Sequence, residues 1–208
     1  PQESEGGNMK PVMAHGLQTM SIGFLVEEAS PMVWRGPMVT QALEQLLKNT
    51  EWDDIDYMII DLPPGTGDTQ LTLSQKIPVS GAIIITTPQD IALIDAQKGL
   101  AMFEKVNIPI LGIVENMSIH ICSNCDHAEE IFGHGGGKLM AQNSNTNFLG
   151  ALPLQIDIRT DVDEGIPSVA RDPDSRVAMM YQEIGRRVAA TLSLQSESVG
   201  AFPKITIE

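Results

Sequence analysis

The chain has 208 residues, 42% hydrophobic and 19% charged, enough for one globular domain with a sizeable core, and no apolar run nears the ~20 residues of a membrane helix. Its 13 basic and 27 acidic residues leave a net charge of −14, a field that argues against nucleic acid or anionic lipid as a partner of the bulk surface. Two cysteines provide no disulfide framework, and with only 4% aromatics the core must rest on aliphatic side chains and Met.

Residues 1–11 are polar and glycine-containing and read as a mobile segment without the basic and apolar regions of a secretory signal, so the cytoplasm is the expected location. "LQTMSIGFL" (17–25) alternates loosely and is expected as a strand, whereas "GPMVTQALEQLLKNT" (36–50) puts Met38, Ala42, Leu43, Leu46 and Leu47 on one helical face. The run Tyr57–Ile60 predicts a buried strand ending at Asp61, and 69–77 a short helix. "GAIIITT" (81–87) is a β-branched run of the kind covered on both faces of a parallel sheet, and 90–106 is a helix with Asp90 as its expected N-cap. "PILGIVEN" (109–116) repeats the buried-strand pattern. A polar excursion follows, then a helix at 137–145, a short strand at 148–154 and an amphipathic helix at 174–192. Strands alternating with helices predict an α/β fold, a doubly wound and mostly parallel sheet. Ligands of such sheets lie at the carboxyl ends of the strands, where Asp61, Thr87, Asn116 and Pro153 all fall.

Three stretches point to chemistry. An acid after a run such as "YMII" can hold Mg²⁺ in a nucleotide hydrolase, and in "LPPGTGD" Gly65 allows a backbone N–H to approach a terminal phosphate. The complementary loop, G-x-x-x-x-G-K-[ST], has one near match, "FGHGGGKLM". There Phe132 stands at the first glycine position and Leu139 at the hydroxyl position, so the stretch is expected to be a flexible helix start rather than a phosphate loop. The third is "HICSNCDH", whose Cys122 and Cys125 can aim two thiolates at one metal. Tetrahedral zinc or an iron–sulfur cluster needs four ligands, and three completions are open: two cysteines from each chain of a dimer, a local zinc site with His120 and His127, or a redox dithiol. Asn116, at a strand end in "ENMS", could pair with a base edge. Trp34 and Arg35 are expected to pack at a helix start.

Taken together, "MVWRGPMVTQALEQLL", "DYMIIDLPPGTGDTQLTLSQKI", "GAIIITTPQDIALIDAQKGLAMFEKVNIPILGIVENMS", "HICSNCDH", "IFGHGGG" and "LGALPLQIDIRTDVDEGIPSVARDPDS" resemble the Mrp/ApbC group of MinD-related P-loop ATPases, which carry iron–sulfur clusters. The resemblance implies a MinD-like domain over 12–193, its C-x-x-C loop at 117–136, and a C-terminal tail at 194–208. It implies a nucleotide-dependent homodimer that bridges a cluster, [4Fe–4S] by family, and delivers it to apo iron–sulfur proteins, with ATP and Mg²⁺ in the full-length protein. By position Asp61 matches the Walker B acid, Gly65 the switch glycine and Asn116 the adenine-side Asn, while Cys122 and Cys125 match the cluster ligands. Members begin with a strand and a lysine-bearing P-loop, then a switch I acid. This chain begins with Pro1, downstream of both, so the resemblance is to a portion lacking at least two units of about 30 residues. Such a portion is expected neither to bind ATP well nor to fold robustly alone. Two other classes fit the residues in part, a MinD/ParA-like spatial regulator and a non-enzymatic metal-binding dimerisation module. The tail "SLQSESVGAFPKITIE" has no basic amphipathic helix of the kind the regulator would favour.

Overall fold

The computed structural model describes residues 1–2, 4, 7–25, 36–62, 72, 77–122, 124–125 and 127–199. The chain divides into two compact units, Pro1–Pro78 and Val79–Glu208.

In the first unit, β1 (Val12–Ala14) and β2 (Leu17–Thr19) form an antiparallel hairpin with Val12 opposite Thr19. The connection is His15-Gly16, both at positive φ (50° and 77°), the two-residue turn whose twist suits a hairpin. The strand predicted over 17–25 therefore stops at Thr19. A 3₁₀ turn over Ile22–Phe24 replaces its second half, because the Ser21 hydroxyl accepts from Gly23 N and closes a local turn that competes with a ladder. Helix α1 (Gly36–Lys48) matches the predicted amphipathic run and buries Leu46. Past its end, the Trp52 indole donates to Leu47 O at 3.1 Å.

The run 57–60 is not a strand. Tyr57 is 63% and Ile59 92% exposed, and neither edge is paired among the described residues. An apolar run supplies β propensity but not the neighbouring strand that turns propensity into a ladder. Asp61, which follows this run, is exposed. The helix expected at 69–77 lies almost wholly outside the described residues, as do Gly65, Trp34 and Arg35.

The second unit is built on three parallel strands in the order β3 (Ala82–Thr86), β4 (Ile110–Glu115), β7 (Phe148–Ala151). Between β3 and β4 runs helix α2 (Asp90–Lys105). Its N-cap is Gln89 rather than Asp90. The latter occupies the first helical position, where a negative charge still favours the helix dipole. Between β4 and β7 lie a two-strand hairpin, β5 (His120–Ile121) with β6 (Ala128–Glu129), and helix α3 (Gly136–Asn143). Helices α4 (Ile156–Asp163), α5 (Ser168–Arg171) and α6 (Arg176–Val199) complete the unit. Helix α6 starts later than predicted because Ser175 caps it, its hydroxyl accepting from Ala178 N at 3.1 Å, and it runs on beyond residue 192 to Val199.

β4 is the buried centre of this sheet: Ile113 is fully buried, Leu111 and Val114 nearly so. Met180, Tyr181, Ile184 and Val188, at helical spacing on α6, pack over Val114, Leu149 and Leu152. Gly150 permits that approach, since a Cβ there would sit 2.9 Å from Ile184 Cγ1. β3 is not covered on both faces as its composition predicts. Ala82, Ile84 and Thr86 are buried, but Ile83 and Ile85 are exposed on the alternate side. Burial in a period-two element is set by what packs on each face, and β-branching reports only suitability for it.

Candidate functional site

The carboxyl ends of the three parallel strands lie side by side. Asn116 N donates to Thr86 O at 2.7 Å and Leu152 N to Glu115 O at 2.8 Å, so the residues that follow β3, β4 and β7 leave the sheet at one edge. Thr87, Asn116 and Pro153 are thus brought together as their sequence positions predict, whereas Asp61 belongs to the first unit. The Asn116 carboxamide oxygen accepts from Met117 N at 2.9 Å, holding Met117 at φ 54°. That local contact commits the oxygen, and the NH₂ group is the side chain's remaining donor. Beside it, the Thr87 hydroxyl is buried and has no hydrogen-bond partner among the described residues.

The thiol pair projects from the β5–β6 hairpin. His120 pairs with Glu129 and Ile121 with Ala128, and Cys122 N donates to His127 O at 2.9 Å, which closes the hairpin around the C-x-x-C turn. Both thiols are free; Cys122 is half-buried and Cys125 exposed. Hydrogen bonds from the backbone of Asn124, then from the backbone and side chain of Cys125, hold the Cys122 thiol below its ordinary pKa, against smaller opposing effects of desolvation and the Glu129 carboxylate. A turn that aims N–H groups at sulfur favours the thiolate, the form that binds metal. Among the described residues no group of three or more His, Cys, Asp and Glu is arranged to hold a metal ion. His120 is engaged elsewhere, its Nδ1 lying 3.0 Å from Leu154 O, and His127 faces Glu129 at 4.0 Å. The geometry therefore gives no support to a local zinc site with both histidines.

The hairpin is tied down at both legs. On the first leg, Ser118 N donates to Leu152 O at 2.9 Å and Leu154 N to Ile119 O at 2.8 Å. On the second, the glycine run "GHGGGK" starts α3 with Gly135 in the left-handed conformation at φ 69°. The run is a helix start as expected, but a packed one. A Cβ on Gly136 would sit 2.5 Å from Leu93 Cδ1, and one on Gly137 would sit 3.0 Å from Glu115 Cβ. Gly137 N donates to Glu115 Oε2 at 2.7 Å, and Glu115 is 2% exposed. Sequence reasoning passed over Glu115. The signal available was a lone acid closing the otherwise apolar strand "ILGIVE".

Among known proteins, the family described as "ParA: NUBPL iron-transfer P-loop NTPase" matches residues 1–189. The chain is 56% identical over 199 residues to a protein of Salmonella typhimurium named iron-sulfur cluster carrier protein, covering 96% of this chain and 54% of that one. It is 48% identical over 197 residues to the mouse iron-sulfur cluster transfer protein NUBPL, covering 95% and 62%. The chain thus spans little more than half the length of these relatives. A nucleotide-binding protein from Archaeoglobus fulgidus, solved with ADP, superposes with a TM-score of 0.65 at 32% identity over 79% of this chain and 63% of that one. The Pyrococcus furiosus cell division ATPase MinD superposes at 0.55 and 21% identity over 73% and 58%, a likeness of fold alone. Parallel strands with helices between them, in the MinD-like arrangement, thus come with a sequence match over nearly the whole chain, and this protein belongs to the family of NUBPL-type iron-transfer P-loop NTPases.

Proposed function

We propose that these residues form the cluster-holding part of an iron–sulfur carrier, in which Cys122 and Cys125 of two copies grip one cluster and pass it to apo iron–sulfur proteins. The observation that carries this reading is the C-x-x-C turn itself. It presents two free thiols, one of them biased to the thiolate by backbone N–H groups, with no third ligand beside them among the described residues. Two ligands per chain complete a four-thiolate set only when two chains meet, and exposure at a hairpin tip suits a cargo that must leave again. The relatives named as cluster carrier and cluster transfer proteins support the same reading.

For the nucleotide, the strand ends offer a fitting base-side group in Asn116, with the unpartnered Thr87 hydroxyl beside it. We assign Asn116 to the adenine, Asp61 to Mg²⁺ and Gly65 to a phosphate-sensing switch in the longer proteins of the family. ATP hydrolysis supplies those proteins with a means of changing conformation around the cargo. Within this chain, Asn116 would orient the base through its NH₂ group while its oxygen stays committed to the Met117 turn.

Anaerobic reconstitution with iron and sulfide tests the carrier reading. A shared [4Fe–4S] cluster gives about two iron and two sulfide per chain on a species of twice the monomer mass. The Cys122→Ala, Cys125→Ala double variant should lose that absorbance while remaining folded. A double variant that keeps the full cluster, or a cluster held by a monomer, overturns the ligand assignment.

A further inference from the structure

We propose that Glu115 is a positioning residue for the thiol pair. By holding Gly137, it fixes the second leg of the C-x-x-C hairpin to the same strand end that carries Asn116. The proposal rests on the carrier reading for its functional meaning, although its geometry stands alone. Glu115 is the last residue of β4 and is 2% exposed, in a strand whose other core positions are aliphatic. A side chain that only filled space there would be apolar, because burying a carboxylate costs several kcal/mol unless donors meet it. Its Oε2 accepts from Gly137 N at 2.7 Å, at the first turn of α3, where unpaired N–H groups and the helix dipole favour an anion.

The contact is specific to this geometry. A Cβ on Gly137 would crowd Glu115, 3.0 Å from its Cβ and 3.2 Å from its Oε2, and one on Gly136 would press on Leu93 Cδ1 at 2.5 Å and on Pro88 O at 3.0 Å. The glycine turn is therefore clamped between the chain leaving β3, at Pro88, and the end of β4, at Glu115. The first leg of the hairpin returns to the same place. Ser118 N and Ser118 Oγ both donate to Leu152 O, and Leu152 N donates to Glu115 O. Glu115 thus touches the second leg through its side chain and reaches the first, through Leu152, by its backbone.

The test uses the full 208-residue chain. In the apoprotein, alkylation rates of Cys122 and Cys125 are followed separately by peptide mass spectrometry, with hydrogen exchange over 130–140 read alongside. Glu115→Ala should change the ratio of the two rates about threefold or more and speed exchange at Gly137 about tenfold, the size of effect expected from losing one buried hydrogen bond. Glu115→Gln keeps an acceptor oxygen and should bring both readouts back to within about twofold of the parent. After reconstitution, Glu115→Ala should also alter the visible circular dichroism of the bound cluster. An unchanged thiol ratio in Glu115→Ala, or a Glu115→Gln variant no closer to the parent than the alanine, overturns the proposal. Should Glu115→Ala fail to fold, Gly137→Ala, which keeps the carboxylate and displaces the contact, is read by the same criteria. If the parent chain takes up no cluster, the carrier reading fails by itself, and the thiol and exchange readouts still decide the role of Glu115.

Discussion

At the scale of single residues, the Cys122 sulfur sits where backbone N–H groups converge, with a carboxylate in range that works against them. Its pKa is lowered first by the Asn124 backbone and then by Cys125, and raised in part by Glu129. Because the thiolate is the reacting form, alkylation of Cys122 should reach its half-maximal rate at a lower pH in the folded chain than in the urea-unfolded chain. Removing the opposing charge should carry the midpoint lower still, so Glu129→Gln is expected to react faster at neutral pH with the slope of the profile unchanged. A Glu129→Gln midpoint at or above the parent's would mean that the carboxylate does not act on the sulfur. The sequence made this pair legible as two neighbouring free thiols, since C-x-x-C spacing is local. It could not rank the thiols, because the donors to sulfur are backbone groups whose direction depends on the hairpin. Glu115 was missed for a related reason. Its partner is a main-chain N–H 22 positions away, and no side-chain letter marks that contact.

Among the elements, the amphipathic helices and the apolar strands of the parallel sheet were legible, and whether an apolar run finds a strand to pair with was not. Helices α1, α2, α3 and α6 and strands β3, β4 and β7 lie within a few residues of their predicted places, apart from the extended end of α6. The run 57–60 is apolar, as most of β4 is, yet among the described residues only β4 has ladders on both sides. What distinguishes them is non-local and absent from either string. The β7–α6 contact shows the energetic side of that dependence. Leu149 is 1% exposed and Gly150 lets Ile184 close on the strand. Leu149→Ala should cost about 2–5 kcal/mol through lost burial and a residual cavity. Gly150→Val should cost about 1–3 kcal/mol by overpacking. Urea titrations read both, and an effect below about 0.5 kcal/mol at either position would contradict the packing described. Ile85 is the control within the same sheet. At 64% exposed it contributes little burial, so Ile85→Thr should shift stability by no more than about 0.5 kcal/mol while lowering light scattering at high protein concentration.

The molecule as a whole carries a net charge of −14, and that charge bears on any assembly of two copies. If two chains meet at their C-x-x-C hairpins around one cluster, like-charged surfaces must approach, with Glu129 near the Cys122 thiol of each chain and Glu130 following it. Thiolate ligands add further negative charge that the metal offsets only in part. Repulsion between exposed charges is screened beyond a Debye length of about 10 Å at 0.1 M salt and about 30 Å at 0.01 M. The expected consequence runs opposite to that of an association held by ion pairs. Raising salt from about 0.01 M to about 0.15 M should increase the dimeric fraction of the cluster-loaded chain. Sedimentation velocity at matched protein concentration reads this directly, with cluster absorbance locating the holo species. Charge reversal near the thiols sharpens the comparison, since Glu129→Lys with Glu130→Lys should raise the dimeric fraction at low salt and flatten its salt dependence. A dimer that instead dissolves as salt rises would be held by complementary charges, and the two hairpins would then not be the surfaces that meet.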